Sequence, residues 1–278
     1  MKLALILSDY SVNQLKYISA GGILLELFNR DIDCEIFIVM KKSVTPPFYY
    51  QWGKNIQKKL LTMLARFEEL SFSRFTEEKT VTPEKIFTSF SKYIGEEKIN
   101  HYYDTISKYI EDYPQRIITT TDLQSQFFLQ KINSLELDIG IARGGGILRK
   151  NFIDAFKLGI LNLHGSGPLP YYRGSGAVEF ALIDGKKIHM NIHYIDPGID
   201  TGSILSQKQL LLNGKETLSD IYAKIYADGM QTIVDTIEAI MFKNLTGQLQ
   251  KLENGRQHFL PHPLFEKLAL THLNNKMN

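Results

Sequence analysis

Three polar side chains near the ends of two apolar segments have types and positions that could carry chemistry. Asn162 and His164 close the apolar segment 158–164, and Asp200 follows the apolar segment Ile188–Ile195. An amide, an imidazole and a carboxylate at strand ends occupy the usual place for chemistry in an open α/β sheet. This combination indicates acyl-group transfer.

The alternation of side chains along a strand decides which of these groups can act together. In the segment 158–164, Asn162 and His164 share one face of a strand, while Leu161 and Leu163 share the other. The segment 165–170 contains glycine and proline and ends the strand, so we expect His164 at the rim of a crevice. A strand that merely ends in polar residues is the alternative interpretation, and the residues alone leave both open.

No metal site is predicted from the histidines of the second segment. His189, Asn191 and His193 share one face of the strand Ile188–Ile195. Four residues separate the two histidines by about 13 Å, which is too far to bind one ion. Cys34 is the single cysteine and lies in an apolar segment, so we expect a buried, inert thiol.

Apolar periodicity predicts alternating strands and helices. The predicted strands are Lys2–Leu7, Cys34–Met40, Arg116–Thr120, Asp138–Ala142, Ile160–His164 and Ile188–Ile195, and the predicted helices include Gln14–Asn29 and Leu123–Asn133. This order implies an α/β fold that is doubly wound, with a mostly parallel sheet and helices on both faces.

A helical insert and a C-terminal segment are predicted in addition to the alternating strands and helices. Residues 1–210 are predicted as the α/β domain, and it includes a helical insert at about 42–113 with apolar residues at helix spacing: Trp52, Ile56, Leu60, Met63, Leu64 and Phe67, then Ile86, Phe90, Tyr93 and Ile94. Residues 211–278 are predicted as a C-terminal helix and a short appendage. A capping box at Thr217 and Asp220 begins that helix, and the tail after Gly247 is predicted to be strand-like or irregular.

Composition and charge narrow the class of protein. The chain has 278 residues, of which 44% are hydrophobic, so its length and apolar content suffice for an ample core. No apolar segment approaches the roughly 20 residues that span a bilayer, and the apolar start is short for a secretory signal. The net charge of +2 gives no basic surface for nucleic acid. We therefore expect a cytoplasmic protein with no membrane and no nucleic-acid partner.

Taken together, the motifs resemble the formyltransferase family that uses N10-formyltetrahydrofolate. The similarity rests on Asn162-x-His164, on the Leu-Pro-x-Tyr-Arg-Gly segment 169–174 and on Asp200-Thr201-Gly202, and it covers roughly residues 117–207. The family includes glycinamide ribonucleotide, methionyl-tRNA and nucleotide-linked amino-sugar formyltransferases. The resemblance implies a Rossmann-like formyltransferase fold and N10-formyltetrahydrofolate as the co-substrate.

The resemblance also implies the catalytic residues Asn162, His164 and Asp200. An amine that attacks a formyl carbon produces an oxyanion, which a fixed N–H of Asn162 could stabilise. His164 could add a second donor or accept the proton that the amine loses. Asp200 could orient His164 and help deliver a proton to the leaving nitrogen. The division of acid and base roles stays open, and His193 is a supporting candidate.

The same resemblance implies the co-substrate site. A glycine-rich turn follows the predicted strand Asp138–Ala142 and allows close backbone approach to a planar ligand. The implied binding residues are Gly145, Gly146, Ile147 and Leu148, with Asp196, Pro197, Gly198 and Ile199 from the loop before Asp200. The triple glycine lacks the Gly-x-Gly-x-x-Gly placement of a dinucleotide site, so NAD is not expected.

The acceptor is predicted to be a small primary amine. A methionyl-tRNA enzyme would be expected to carry a further barrel domain and a basic face, and a glycinamide ribonucleotide enzyme a glycine-rich turn after the first strand. The chain has Ser8-Asp9-Tyr10-Ser11 at that turn, so a nucleotide-linked amino sugar is favoured. A formyltetrahydrofolate hydrolase and a catalytically idle binding module remain alternatives, and a homodimer remains open.

Overall fold

A seven-stranded sheet forms the centre of the fold in a computed structural model that describes residues 1–8, 14–41, 81–144, 146–259, 261 and 263–277. The strands lie in the order β3-β2-β1-β4-β5-β7-β8. The first five pair in parallel, whereas β7 pairs antiparallel with both of its neighbours, β5 and β8. Their bounds are β1 Leu3–Ser8, β2 Cys34–Met40, β3 Ile117–Thr120, β4 Ile139–Arg143, β5 Gly159–Ser166, β7 His189–Tyr194 and β8 Ile204–Gln209; a separate pair joins β6 Tyr172–Gly174 to β9 Arg256–His258.

Helices cover both faces of the sheet, which confirms the predicted α/β fold with a mostly parallel sheet. The helices are α1 Gln14–Phe28, α2 Pro83–Ile94, α3 Glu96–Asp112, α4 Gln126–Ser134, α5 Lys150–Ile153, α6 Ala177–Ile183, α7 Leu218–Lys243 and α8 Pro263–Met277. Side chains of β1 alternate between the two layers. Leu5 packs in the cluster that includes α1 and α7 residues, and Ile6 packs in the cluster that includes α4 and α5 residues.

The later part of the predicted insert is helical, as the apolar spacing indicated. Thr82 caps α2 by accepting the N–H of Lys85, and Phe90 of α2 is fully buried in the core. Tyr109 of α3 stacks on Phe37 of β2 with ring centroids 4.6 Å apart. These aromatic residues are therefore core contacts. The stripe from Trp52 to Phe67 lies outside the described residues.

The capping box predicted for α7 is confirmed. The N–H of Asp220 donates to Oγ1 of Thr217 over 3.2 Å, and the N–H of Thr217 donates to a carboxylate oxygen of Asp220 over 2.9 Å. The helix packs against α1 and α2 within one contact-defined unit, Met1–Lys41 with Thr80–Asn278. The division of the chain at residue 210 stays a prediction about its domains.

The prediction for the tail was wrong in one respect, because a 15-residue helix, α8, ends it. Glu266, Ala269 and Leu273 are buried at helix spacing along one side of α8. Phe265 contacts Phe180 of α6 with ring centroids 5.6 Å apart. Tertiary packing of this kind turns a weak apolar pattern into a helix, since packing rather than propensity supplies most helical stability. The strand β9 matches the strand-like part of the prediction.

Cys34 is a buried thiol, as predicted. The residue is fully buried in β2, and burial raises the pKa of the thiol to about 12. At neutral pH the thiol is therefore protonated and a poor nucleophile. Within the described part of the chain, no group of three or more His, Cys, Asp or Glu residues could hold a metal ion. No described helix combines the length and the apolar character needed to cross a membrane.

Candidate active site

Three neighbouring strands bring the predicted catalytic residues to one place. In the pairing of β4 with β5, Asn162 lies opposite Ala142, and in the pairing of β5 with β7 it lies opposite His193. Asp200 lies in the loop that connects β7 to β8. The structure therefore brings Asn162, His164, His193 and Asp200 together, although 38 positions separate the first and the last.

The carboxylate of Asp200 lies between two imidazole rings. Oδ2 is 3.5 Å from Nδ1 of His164, and Oδ1 is 3.5 Å from Nε2 of His193. The backbone N–H of Gly174 donates to Oδ2 over 2.8 Å. Asp200 has a φ of 52°, in the left-handed region that few residue types other than glycine, aspartate and asparagine adopt readily. The loop thus holds the carboxylate in a defined position against both rings.

Backbone carbonyl oxygens orient the two rings. Nε2 of His164 lies 3.2 Å from the carbonyl oxygen of Tyr172, and Nδ1 of His193 lies 2.7 Å from that of Tyr194. Since a carbonyl oxygen only accepts, these two nitrogens carry the protons of the neutral rings. Nε2 of His193 is then an acceptor, and the side-chain amide of Asn162 donates to it over 3.2 Å. An amide has a second N–H, which is available for a ligand.

Burial favours the neutral forms of Asp200 and His164, whereas charges beside them favour the ionised forms. Burial by itself raises the pKa of the Asp200 carboxyl, but a hydrogen bond from His193 and the positive charge that His164 and His193 carry when protonated, together with the N–H of Gly174, outweigh it and hold the pKa well below its usual range. Burial lowers the pKa of His164, and the charge of Asp200 only partly opposes this shift. At neutral pH the site therefore pairs an ionised carboxylate with a neutral imidazole that can accept a proton.

We expect the pKa of His164 to lie below its ordinary value of 6.5 and to fall further in Asp200→Asn. The carboxylate favours the imidazolium form, so its removal leaves the effect of burial unopposed. The measurement is an NMR titration of the Cε1–Hε1 resonances, in which His164→Gln identifies the signal. A rise of the midpoint in Asp200→Asn would contradict the described electrostatics.

Local hydrogen bonds shape the loop that carries Asp200. Asp196 accepts the N–H of Gly198 over 3.1 Å and also the hydroxyl of Thr201. A Cβ added to Gly202 would lie 1.8 Å from the carbonyl oxygen of Tyr194, so only glycine fits there. Gln250 then donates from the C-terminal segment to the carbonyl oxygens of Asp200 and Gly202 over 3.0 and 2.6 Å.

Six of the eight predicted co-substrate residues line a cavity of about 270 Å³. Its lining includes Gly146, Ile147, Leu148, Asp196, Gly198 and Ile199, together with Asn162, His193 and Asp200. Pro197 lies on the exposed side of the same loop, and Gly145 lies outside the described residues. Ile147 and Ile195 provide apolar walls, and the glycine-rich turn leaves backbone close to the space. Apolar walls beside accessible backbone suit a flat heterocyclic ligand.

A second cavity, of about 590 Å³, meets the first at the same polar residues. Asn162 and Asp200 line both cavities, whereas His164 lines only the second. Arg143, Tyr222 and Tyr226 form another part of the second wall. Two reactants could therefore approach one reacting atom from two sides, as a group transfer requires.

Sequence reasoning did not single out Arg143 or Gln250. Arg143 ends the buried strand β4, and a charged residue at the end of an apolar segment was a signal that could have found it. Gln250 gave no such signal, because its role depends on a contact with residues 48 to 50 positions away. The supporting position predicted for His193 stays a prediction in its function, although its contacts with Asn162 and Asp200 are those described above.

Comparison with known proteins identifies the family. The formyl transferase family matches residues 77–237, more than half of the chain. The chain belongs to the formyl transferase family.

The matches to curated relatives cover about half of this chain or less. The methionyl-tRNA formyltransferase of Alkaliphilus metalliredigens is 34% identical over 130 residues, which cover 46% of this chain and 41% of that protein. That of Thermodesulfovibrio yellowstonii is 37% identical over 113 residues, 40% of this chain and 36% of that protein. The chain thus matches less than half the length of either relative.

Solved structures share the fold over nearly the whole chain. A 4-N formyltransferase from Francisella tularensis matches with a TM-score of 0.54 at 16% identity, and the match covers 98% of this chain and 87% of that protein's chain. A sugar N-formyltransferase from Shewanella sp FDAARGOS_354 has a TM-score of 0.53 at 14% identity, with 98% and 88% covered. At such low identity these likenesses show the fold alone.

Proposed function

We propose that this protein transfers a formyl group from N10-formyltetrahydrofolate to a primary amine. The observation that carries the proposal is the meeting of two cavities at Asn162 and Asp200, with His164 beside them. The glycine-lined cavity of 270 Å³ is assigned to the co-substrate and the cavity of 590 Å³ to the acceptor. N10-formyltetrahydrofolate would supply a formyl carbon that is open to attack by an amine.

Each polar residue has a task that its contacts support. Asn162 is fixed by His193 and presents its second N–H to the oxygen that becomes negative when the amine adds to the formyl carbon. His164, neutral because it is buried, would accept the proton that the amine loses. When the tetrahedral intermediate collapses, the bond between the formyl carbon and N10 would break and this proton would pass to N10, so that tetrahydrofolate leaves. The imidazolium so formed has acceptors on both sides, Asp200 at Nδ1 and the carbonyl oxygen of Tyr172 at Nε2. The site therefore stabilises a charge that develops only during the reaction.

The acceptor we favour is a nucleotide-linked amino sugar. Two aromatic rings, Tyr222 and Tyr226, lie in the wall of the second cavity and suit the apolar face of a sugar or base. The structures with the same fold include sugar N-formyltransferases, one described with dTDP and 5-N-formyl-THF. Methionyl-tRNA is the second candidate, because the curated relatives are named methionyl-tRNA formyltransferases.

The test is a transfer assay with N10-formyltetrahydrofolate and a panel of acceptors: several nucleotide-linked amino sugars, methionyl-tRNA, and buffer without amine. We expect formamide product from an amino sugar in the wild type and its loss in His164→Ala. His101→Ala, an exposed histidine on α3, is the matched control and should retain the activity. Folded-state circular dichroism of each variant separates loss of chemistry from loss of structure.

Other outcomes replace parts of the proposal. Formylation of methionyl-tRNA with no reaction of amino sugars would overturn the acceptor and keep the transfer. Formate release without amine, at a rate that amines do not change, would favour a formyltetrahydrofolate hydrolase. Binding of a folate analogue with neither transfer nor hydrolysis would identify a catalytically idle module.

A further inference from the structure

A buried arginine lies at the end of the central strand β4. Arg143 is only 6% exposed, and it follows the apolar residues Ile141 and Ala142. Side chains alternate along the strand, so Ala142 packs in the cluster that includes α4 and α5 residues, and Arg143 points to the opposite layer, toward α1 and α7. A guanidinium is ionised at every physiological pH, so this position places a permanent charge beside the core.

The contacts of Arg143 hold the guanidinium in place without neutralising it. Nη2 donates to the hydroxyl of Ser19 on α1 over 3.1 Å, and the guanidinium carbon lies 5.0 Å from the ring centroid of Tyr226 on α7. Its buried Nε has no hydrogen-bond partner among the residues that the structure describes. Within the described part of the chain, no carboxylate forms an ion pair with it, whereas Arg30 and Arg116 each pair with acidic side chains. Buried charges are normally paired, and among the described residues Arg143 lacks the anion that such a position calls for.

Arg143 also borders the acceptor cavity. Arg143 lines the 590 Å³ cavity together with Asn162, His164 and Asp200. Ala142 is the register partner of Asn162, so Arg143 lies only one residue beyond the position opposite the proposed oxyanion donor. The side chain of Asn162 points to the same layer as Ala142 and that of Arg143 to the other layer, but both residues line this cavity where the strands end, so one small molecule that extends over the sheet edge can contact both groups. Lys16 lines the same cavity and adds a second basic side chain.

We propose that Arg143 binds an anionic group of the acceptor, a phosphate or a carboxylate, while the amine of the same molecule lies at Asn162 and His164. This assignment rests on the proposed transfer function and adds the second functional group that the acceptor must carry. A guanidinium held rigidly by Ser19 and Tyr226 suits such a group, since its planar fork can donate two parallel hydrogen bonds to one anion. Binding of the anion compensates the buried charge at the same time.

The first test measures binding without catalysis. Inorganic phosphate and, separately, acetate are titrated against the full chain, and the melting temperature is followed, because a ligand that binds the folded state raises it. We expect a rise in the wild type and in Arg149→Gln, an exposed arginine outside both cavities, and no rise in Arg143→Gln. A larger response to phosphate than to acetate identifies a phosphate ester, and the reverse identifies a carboxylate. No response of the wild type to either ion, or an equal response in Arg143→Gln, overturns the proposal.

The second test uses one amino sugar with and without its phosphate. For the phosphorylated acceptor we expect Arg143→Gln to raise KM at least tenfold with little change in kcat, and Arg143→Lys to recover part of the loss. For the acceptor without phosphate the variants should match the wild type. Equal loss with both acceptors would indicate a purely structural arginine and overturn the assignment. If no amine is formylated by the wild type, the transfer function fails, while the phosphate titration still decides whether Arg143 binds anions.

Discussion

Asp200→Asn is expected to lower kcat for formyl transfer by about 10³-fold or more, as loss of the carboxylate in other carboxylate–histidine pairs does. The substitution keeps the shape of the side chain, and asparagine tolerates the φ of 52° at this position. It removes the negative charge that faces Nδ1 of His164 at 3.5 Å. The imidazolium that forms when the amine loses its proton then lacks its counter-charge. Single-turnover kinetics at a saturating concentration of both reactants measure the effect.

The matched control for this substitution is Asp154→Asn, since Asp154 is an exposed carboxylate that pairs with Lys150 at the surface. It should leave kcat unchanged.

Folding lowers the pKa of Asp200, so its ionisation stabilises the fold above about pH 4 and this contribution is lost as the pH falls below that value. Urea unfolding between pH 3 and 7 should therefore show a smaller acid loss in Asp200→Asn than in the wild type. An active Asp200→Asn variant would remove the carboxylate from the mechanism.

Asn162→Ala is expected to lower kcat by about 10²- to 10³-fold, which corresponds to about 3 to 4 kcal/mol of transition-state stabilisation. The amide of Asn162 lies where the two cavities meet, and its contact with His193 fixes its direction. Because the oxyanion exists only after the amine has added, the loss should fall on kcat, and KM for both reactants should change little. Steady-state kinetics with each reactant varied in turn separate the two constants.

Asn151→Ala serves as the control, because Asn151 is an exposed asparagine on the short helix α5. It should behave as the wild type in the same assay. Binding of a folate analogue to Asn162→Ala, followed by thermal shift, checks that the co-substrate cavity is intact. If the variant lost affinity for the folate analogue and kept kcat, Asn162 would act in co-substrate binding, which contradicts its proposed role as the oxyanion donor.

The geometry of the site depends on the C-terminal segment through the small second sheet. Strand β6 supplies both the N–H of Gly174 that holds Asp200 and the carbonyl oxygen of Tyr172 that faces His164. Its partner in that sheet is β9, which lies more than 80 residues later in the chain. The segment just before β9 also supplies Gln250 to the backbone of the Asp200 loop. The position of the Asp200 carboxylate therefore depends on residues that follow the main sheet.

Features set by local interactions were predictable from the sequence. The shared face of Asn162 and His164 follows from the two-residue period of a strand, and the start of α7 follows from the reciprocal hydrogen bonds of Thr217 and Asp220. The parallel sheet follows from the alternation of apolar strands with helices. In each case the determining contacts lie within a few residues, so the order of residue types along the chain contains them.

What only the tertiary structure decided depends on contacts between distant residues. Asp200 faces His164 because the N–H of Gly174 holds it from 26 positions away, and the side chain of Arg143 is fixed by Ser19, 124 positions earlier. The tail became a helix through its packing on α6. The residue types that could perform a formyl transfer were thus determined by the sequence alone. Their convergence on one wall shared by two cavities, and the burial that sets their protonation, arise only when the strands pair and exclude water.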